Sequence, residues 1–151
     1  MRVMAADYGD RRTGVAVSDS LRALVGECFT IEEPDAGRLA NRLETEYRNR
    51  GADTLVLGNP LNMNGTAGPR AEKTGKLKAM LEKRGLRVVL WDERRTTAEA
   101  ERILIGTGNL GAKRRQKVDA VAASLILEGF LLAEKNLAKT DDGREDGKAG
   151  P

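Results

Sequence analysis

The chain has 151 residues, 32% of them charged, a formal net charge of +3 and a mean hydropathy of −0.48. That size suits one domain with a proper core, and no apolar run approaches the roughly 18 residues that a membrane span needs. One cysteine, Cys28, excludes an intrachain disulfide and fits a reducing cytoplasm; the absence of histidine excludes a Ser-His-Asp triad, histidine zinc sites and a histidine general base.

The chain opens with an apolar run, Val3 to Ala6, that leads into Asp7. Tyr8-Gly9-Asp10-Arg11-Arg12 turns it, and a second apolar run, Thr13 to Val17, ends at Ser18-Asp19. Two strands around a Gly/Asp turn predict a β-hairpin. The first apolar run is too short for a signal peptide and is interrupted by Asp7. A third strand is expected over Ala23 to Ile31, with Leu24, Val25, Cys28, Phe29 and Ile31 as its apolar residues. After Pro34-Asp35, Leu39, Leu43 and Tyr47 recur at helical spacing beside Ala36 and Ala40, and Gly51 closes that helix. Thr54 to Leu57 is wholly apolar, as in a central strand covered on both faces.

Asn59 to Thr66 reads as a loop. A second helix is expected from about Gly68 to Arg84, burying Ala71, Leu77, Met80 and Leu81, with Gly85 as its stop. Arg87 to Trp91 is the next strand, ending at Asp92-Glu93. Thr96 and Glu99 form a capping box for a third helix. A glycine-rich stretch and a basic run, Lys113 to Lys117, precede the final helix, Val118 to about Glu134. Residues 1–135 read as one domain and 136–151 as a polar, disordered tail. The order β-β-β-α-β-α-β-α-α gives a five-stranded mixed sheet with helices on both faces, an α/β fold.

Three acidic positions sit where acid is awkward. Asp7 ends the first strand, Asp92-Glu93 ends the last, and Asp119 lies in a nearly all-apolar helix. Buried carboxylates are paired, protonated or bound to metal, and several in one place repel unless a cation joins them. Taken singly, each has a bland reading as a turn residue, a solvated strand end or a helix-dipole partner. Taken together, in a chain without histidine, they predict a shared site. Oxygen-only ligands select Mg²⁺ or Mn²⁺, and two such ions can drive an in-line phosphodiester displacement. Arg11, Arg12, Asn59, Arg94, Lys113, Arg114, Arg115 and Lys117 are the candidate phosphate contacts. With so few aromatic residues, backbone and shape recognition is expected over base readout.

Four motifs carry a family resemblance. Asp7-Tyr8-Gly9-x-x-Arg12-x-Gly14-x-Ala16-x-Ser18-Asp19, Gly58-x-Pro60-Leu61-x-Met63-x-Gly65, Asp92-Glu93-Arg94-x-Thr96-Thr97-x-x-Ala100 and Lys117-x-Asp119-x-x-Ala122-Ala123 follow one another over residues 1–135. In this the chain resembles the YqgF/RuvX family of Holliday-junction-resolvase-like bacterial nucleases. The resemblance implies a ribonuclease-H-like fold and a catalytic, metal-holding trio of Asp7, Glu93 and Asp119, with Glu93 preferred to Asp92 on the family pattern alone. It also implies a nuclease that processes the precursor of small-subunit (16S) ribosomal RNA, with resolution of four-way DNA junctions as the alternative. The expected partners are precursor rRNA or branched DNA, with a homodimer as the candidate assembly and no membrane. Two readings compete: the phosphate-binding hairpin of actin-like ATPases and sugar kinases, which needs a second domain that 151 residues do not supply, and a non-catalytic RNA-binding assembly factor.

Overall fold

A computed structural model describes residues 1–60, 68–92 and 120–137. Five strands form one sheet: β1 (Arg2–Asp7), β2 (Arg12–Ser18), β3 (Val25–Glu32), β4 (Ala52–Asn59) and β5 (Val88–Asp92), in the order β3-β2-β1-β4-β5. The first three strands are antiparallel neighbours, whereas β4 and β5 run parallel to β1. The expected mixed sheet is therefore present, and Asp7 stands on its central strand.

Helices α1 (Ala36–Asn49) and α2 (Pro69–Lys83) lie in the connections around β4. Asp35 caps α1 by accepting from the Arg38 amide at 2.9 Å. Gly51 ends α1 at φ 67° and Gly85 ends α2 at φ 90°, where a Cβ would be strained. Leu39, Leu43, Leu77 and Leu81 from these helices pack on Met4, Ala6, Val15, Leu55 and Leu57. A C-terminal helix, described over residues 120–137, covers the other face. Its Ala123, Ile126, Leu127 and Leu131 meet Val3, Ala5, Ala16 and Val56. Spacings of three and four along that helix give the apolar stripe that the sheet requires. The sheet is thus covered on both faces, and the central residues of β1 and β4 are fully buried.

Three expectations need correction. The third strand begins at Val25, not Ala23. Asp19 accepts hydrogen bonds from the amides of Ala23 (2.8 Å) and Leu24 (3.2 Å), which holds them in a turn. Leu24 is consequently 70% exposed, and Cys28 is exposed because β3 is the sheet edge and no described helix covers that side of it. Met80 lies on the outer flank of α2, and Thr74 takes the buried position instead. The C-terminal helix also continues to residue 137, past its expected end near Glu134.

The turn around Asp19 gives a pH-dependent prediction. The amides of Ala23 and Leu24 hold the Asp19 carboxyl below its ordinary value of 3.8. A depressed carboxylate contributes stability above its unfolded value and loses it as pH falls through the folded one. Asp19→Ala should therefore lower the melting temperature at pH 7, and the gap to the parent should close as pH drops below about 3.8. Melting curves across pH check this; a gap independent of pH would contradict it.

Candidate active site

The parallel pairing of β1, β4 and β5 brings their carboxyl ends to one edge of the sheet. In register, Ala6 stands beside Leu57 and Asn59 beside Asp92, while Asp7 pairs with Gly14 across β2. One pleat row therefore crosses the sheet as Thr30, Gly14, Asp7, Gly58 and Trp91. Side chains alternate between faces along a strand. Val3 and Ala5 face the C-terminal helix, so Asp7 does as well. Its register neighbours on both adjacent strands are glycines, Gly14 and Gly58, which bring no side chain of their own to the face of the half-buried carboxylate.

The same parity separates Asp7 from Asp92. Trp91 packs against the residues under the C-terminal helix, whereas Val88 belongs to the core under α1 and α2. Asp92 and Asn59 share the parity of Val88, so both belong to the face opposite Asp7. Asn59 and Asp92 are half-buried there. Glu93, Asp119, Arg94, Lys113, Arg114, Arg115 and Lys117 lie outside the described residues. Among the described residues, no three acidic or cysteine groups gather into a metal site.

The turn beside Asp7 is built by close packing. A Cβ on Gly9 would overlap the Arg12 carbonyl, so no other residue fits there without moving backbone. Arg11 is exposed on the turn. Arg12 begins β2 opposite Glu32, and both arginines line a surface hollow of about 510 Å³ with Glu32 and Pro34. The first turns of α2 reach the hairpin: Arg70 donates to the Tyr8 carbonyl at 3.2 Å and Lys73 pairs with Asp10 at 3.4 Å. Sequence reasoning reached Arg70, as the end of a loop from Asn59 able to contact phosphates, and passed over Lys73. Their spacing of three at the start of a helix was the available signal.

The far end of the first motif has a different role. The Ser18 hydroxyl accepts from the Val3 amide and donates to the Asp19 carbonyl, each at 2.9 Å. Ser18 and Asp19 thus fasten the amino end of β1, at the opposite edge from Asp7.

A family model described as "RuvX: Holliday junction resolvase" matches residues 1–133. The chain belongs to the RuvX family. A relative from Desulfitobacterium hafniense, named "Putative pre-16S rRNA nuclease", is 42% identical over 139 residues, covering 90% of this chain and 96% of the relative. Another of that name, from Geobacillus kaustophilus, is 44% identical over 136 residues, covering 87% and 97%. In fold, the RuvX chain resembles Thermus thermophilus RuvC, solved with a Holliday junction substrate (TM-score 0.53, 16% identity, 83% of this chain and 91% of that one). It also resembles the fowlpox virus Holliday junction resolvase (TM-score 0.58, 15% identity, 88% and 99%). The fold is thus the resolvase type of the ribonuclease-H-like class, as the four motifs implied.

The glycines beside Asp7 give a prediction of their own. Gly58 is buried, and Gly51 and Gly85 are the only described glycines with positive φ, so β4 can accept a side chain at position 58 without backbone strain. Gly58→Val should place a branched side chain beside Asp7 in register. Cleavage should fall by roughly tenfold or more, the scale expected when reacting groups are displaced by about 1 Å. Unchanged turnover in a folded variant would show that this space is not used.

Proposed function

We propose that this chain is a metal-dependent nuclease acting on the precursor of 16S ribosomal RNA. The observation that carries the reading is Asp7: a carboxylate at the end of the central strand, between two glycines, on the face covered by the C-terminal helix. Family membership and the names of its relatives support the same reading. Asp7, Glu93 and Asp119 are the residues we assign to the site. The family pattern supports Glu93, and Asp92 itself lies on the face opposite Asp7. The direction of the C-terminal helix supports Asp119. Glu134 sits at the amino end of β4 and Gly129 against Trp91 near the carboxyl end of β5. The helix start therefore points toward Asp7's edge of the sheet.

An oxygen-only donor set in a glycine-lined space suits Mg²⁺ or Mn²⁺, as a pair of ions in our reading. Such ions, when bound, would supply charge stabilisation and a nucleophilic water for phosphodiester hydrolysis. The chain's own groups then have separate tasks. Asp7 places a carboxyl group at a fixed point on the central strand. Arg11, Arg12, Arg70 and Lys73 place cations around the hairpin at that edge, where a phosphate backbone can be gripped. Arg94 and Lys113 to Lys117 extend this basic surface in the proposal. Replacing Lys113, Arg114 and Arg115 with alanine should flatten the salt dependence of RNA binding by up to about one unit of slope per lost phosphate contact. An unchanged slope would make the run ordinary surface.

The deciding experiment offers precursor 16S rRNA and a four-way DNA junction side by side, with Mg²⁺ or Mn²⁺ and with excess chelator. We expect metal-dependent cleavage of the RNA. Cleavage of the junction alone would transfer the site to branched DNA, the activity in the family's description. Cleavage of neither, with RNA still bound, would leave a non-catalytic RNA-binding factor.

A further inference from the structure

The face between the sheet and the C-terminal helix is unusually smooth. Val3, Ala5, Ala16 and Val56 offer small or β-branched side chains to the helix stripe. Such a surface gives burial but little that stops a helix sliding along its axis. Two directional contacts fix the position. One is steric: Trp91 lies so close to Gly129 that an added Cβ would sit 2.8 Å from its ring. The other is polar and centres on Arg22.

Arg22 is the one non-glycine residue with positive φ among the described residues, at 57°. That conformation is costly for a residue with a Cβ. Local bonds hold it: the Arg22 amide donates to the Asp19 carbonyl at 3.1 Å, and the Asp19 carboxylate grips Ala23 and Leu24. The guanidinium leaves this loop to meet two carboxylates distant in sequence. Nη1 lies 2.5 Å from Asp53, at the start of β4. Nε and Nη2 make a two-pronged contact with Glu134, at 3.0 and 2.7 Å. A planar fork on a carboxylate fixes direction as well as distance, which a lysine would not do.

We propose that Arg22 is a positioning residue: by tying Glu134 to Asp53 it sets the axial seat of the C-terminal helix on the face of the sheet that carries Asp7. This rests on the nuclease reading above. Backbone strain at Arg22 is then maintained because it aims the guanidinium at both carboxylates. Burial works against ionisation of Asp53, yet its carboxyl is held below the ordinary value by the Arg22 hydrogen bond and charge, which keeps Asp53 engaged at neutral pH.

Trp91 is the single tryptophan and reports on the helix seat directly, through Gly129 and an edge contact with Phe130 at 6.5 Å between ring centroids. The test compares Arg22→Ala, Arg22→Lys, Glu134→Gln and Asp7→Asn in the full chain, at a temperature where each is folded. Three quantities are read: Trp91 emission, the Mg²⁺ concentration giving half of the thermal stabilisation, and kcat and KM on precursor rRNA. Arg22→Ala should shift Trp91 emission, raise the Mg²⁺ midpoint roughly tenfold and lower kcat with KM little changed. Arg22→Lys and Glu134→Gln should fall between it and the parent. A lower Tm with unchanged emission and Mg²⁺ midpoint in Arg22→Ala, or in the milder pair should Arg22→Ala not fold, would reduce the contact to a stabilising clasp and overturn the proposal. If Asp7→Asn also leaves the Mg²⁺ response intact, the metal reading itself is what failed.

Discussion

Asp7→Asn should abolish cleavage while the protein stays folded. The substitution keeps the shape of the side chain and removes the charge that would hold a cation. Metal contributions of several kcal/mol to transition-state stabilisation correspond to a loss of roughly 10³-fold, taking about 4 kcal/mol at 1.36 kcal/mol per decade. Stability should move the other way. Carboxylates sharing one pocket without a cation repel, so the variant's apo form should melt at the same temperature or higher. Mg²⁺ should stabilise the parent by preferential binding to the folded state and the variant much less. Normal cleavage by Asp7→Asn, or parent activity in excess chelator, would remove the metal-nuclease reading.

The second large effect belongs to Leu127. It is fully buried between the C-terminal helix and the sheet. Leu127→Ala keeps a strong helix former but loses the transfer free energy of the deleted atoms and leaves a cavity, a cost of about 2–5 kcal/mol. For a chain of this length, 3 kcal/mol corresponds to a fall in Tm of roughly 6–12 °C. The small residues opposite, Ala5 and Ala16, have no atoms to move into the gap, which favours the upper part of that range. Thermal unfolding measures it; a change below about 1 kcal/mol would mean the helix is not seated on the sheet as described.

These two positions mark what the sequence made legible. The short apolar runs of β1, β2 and β4 and the helical spacing of Leu39, Leu43 and Tyr47 were local patterns, and local patterns determine those elements. The placement of Asp7 on the central strand followed from element order. The edge was harder to read. Leu24 and Cys28 look like core residues because hydrophobicity is visible in sequence, whereas the absence of a neighbour beyond β3 is not. That Asp92 faces away from Asp7 needed the register of β5 against β4, a non-local fact. Arg22 was invisible for the same reason: its partners stand 31 and 112 residues away. Lys73 reads as an ordinary surface cation until α2 is seen to begin over the hairpin turn.

The smooth face beneath the C-terminal helix also bears on how the molecule is made. A chain synthesised from its amino end completes the five described strands by residue 92, and the described residues of the C-terminal helix that cover Val3, Ala5, Ala16 and Val56 come at 123–131. Before then the sheet has α1 and α2 on one side and no described cover on the other. The half of the core facing Asp7 is therefore the last to close, and vectorial growth of the polypeptide orders the two layers: scaffold first, site last.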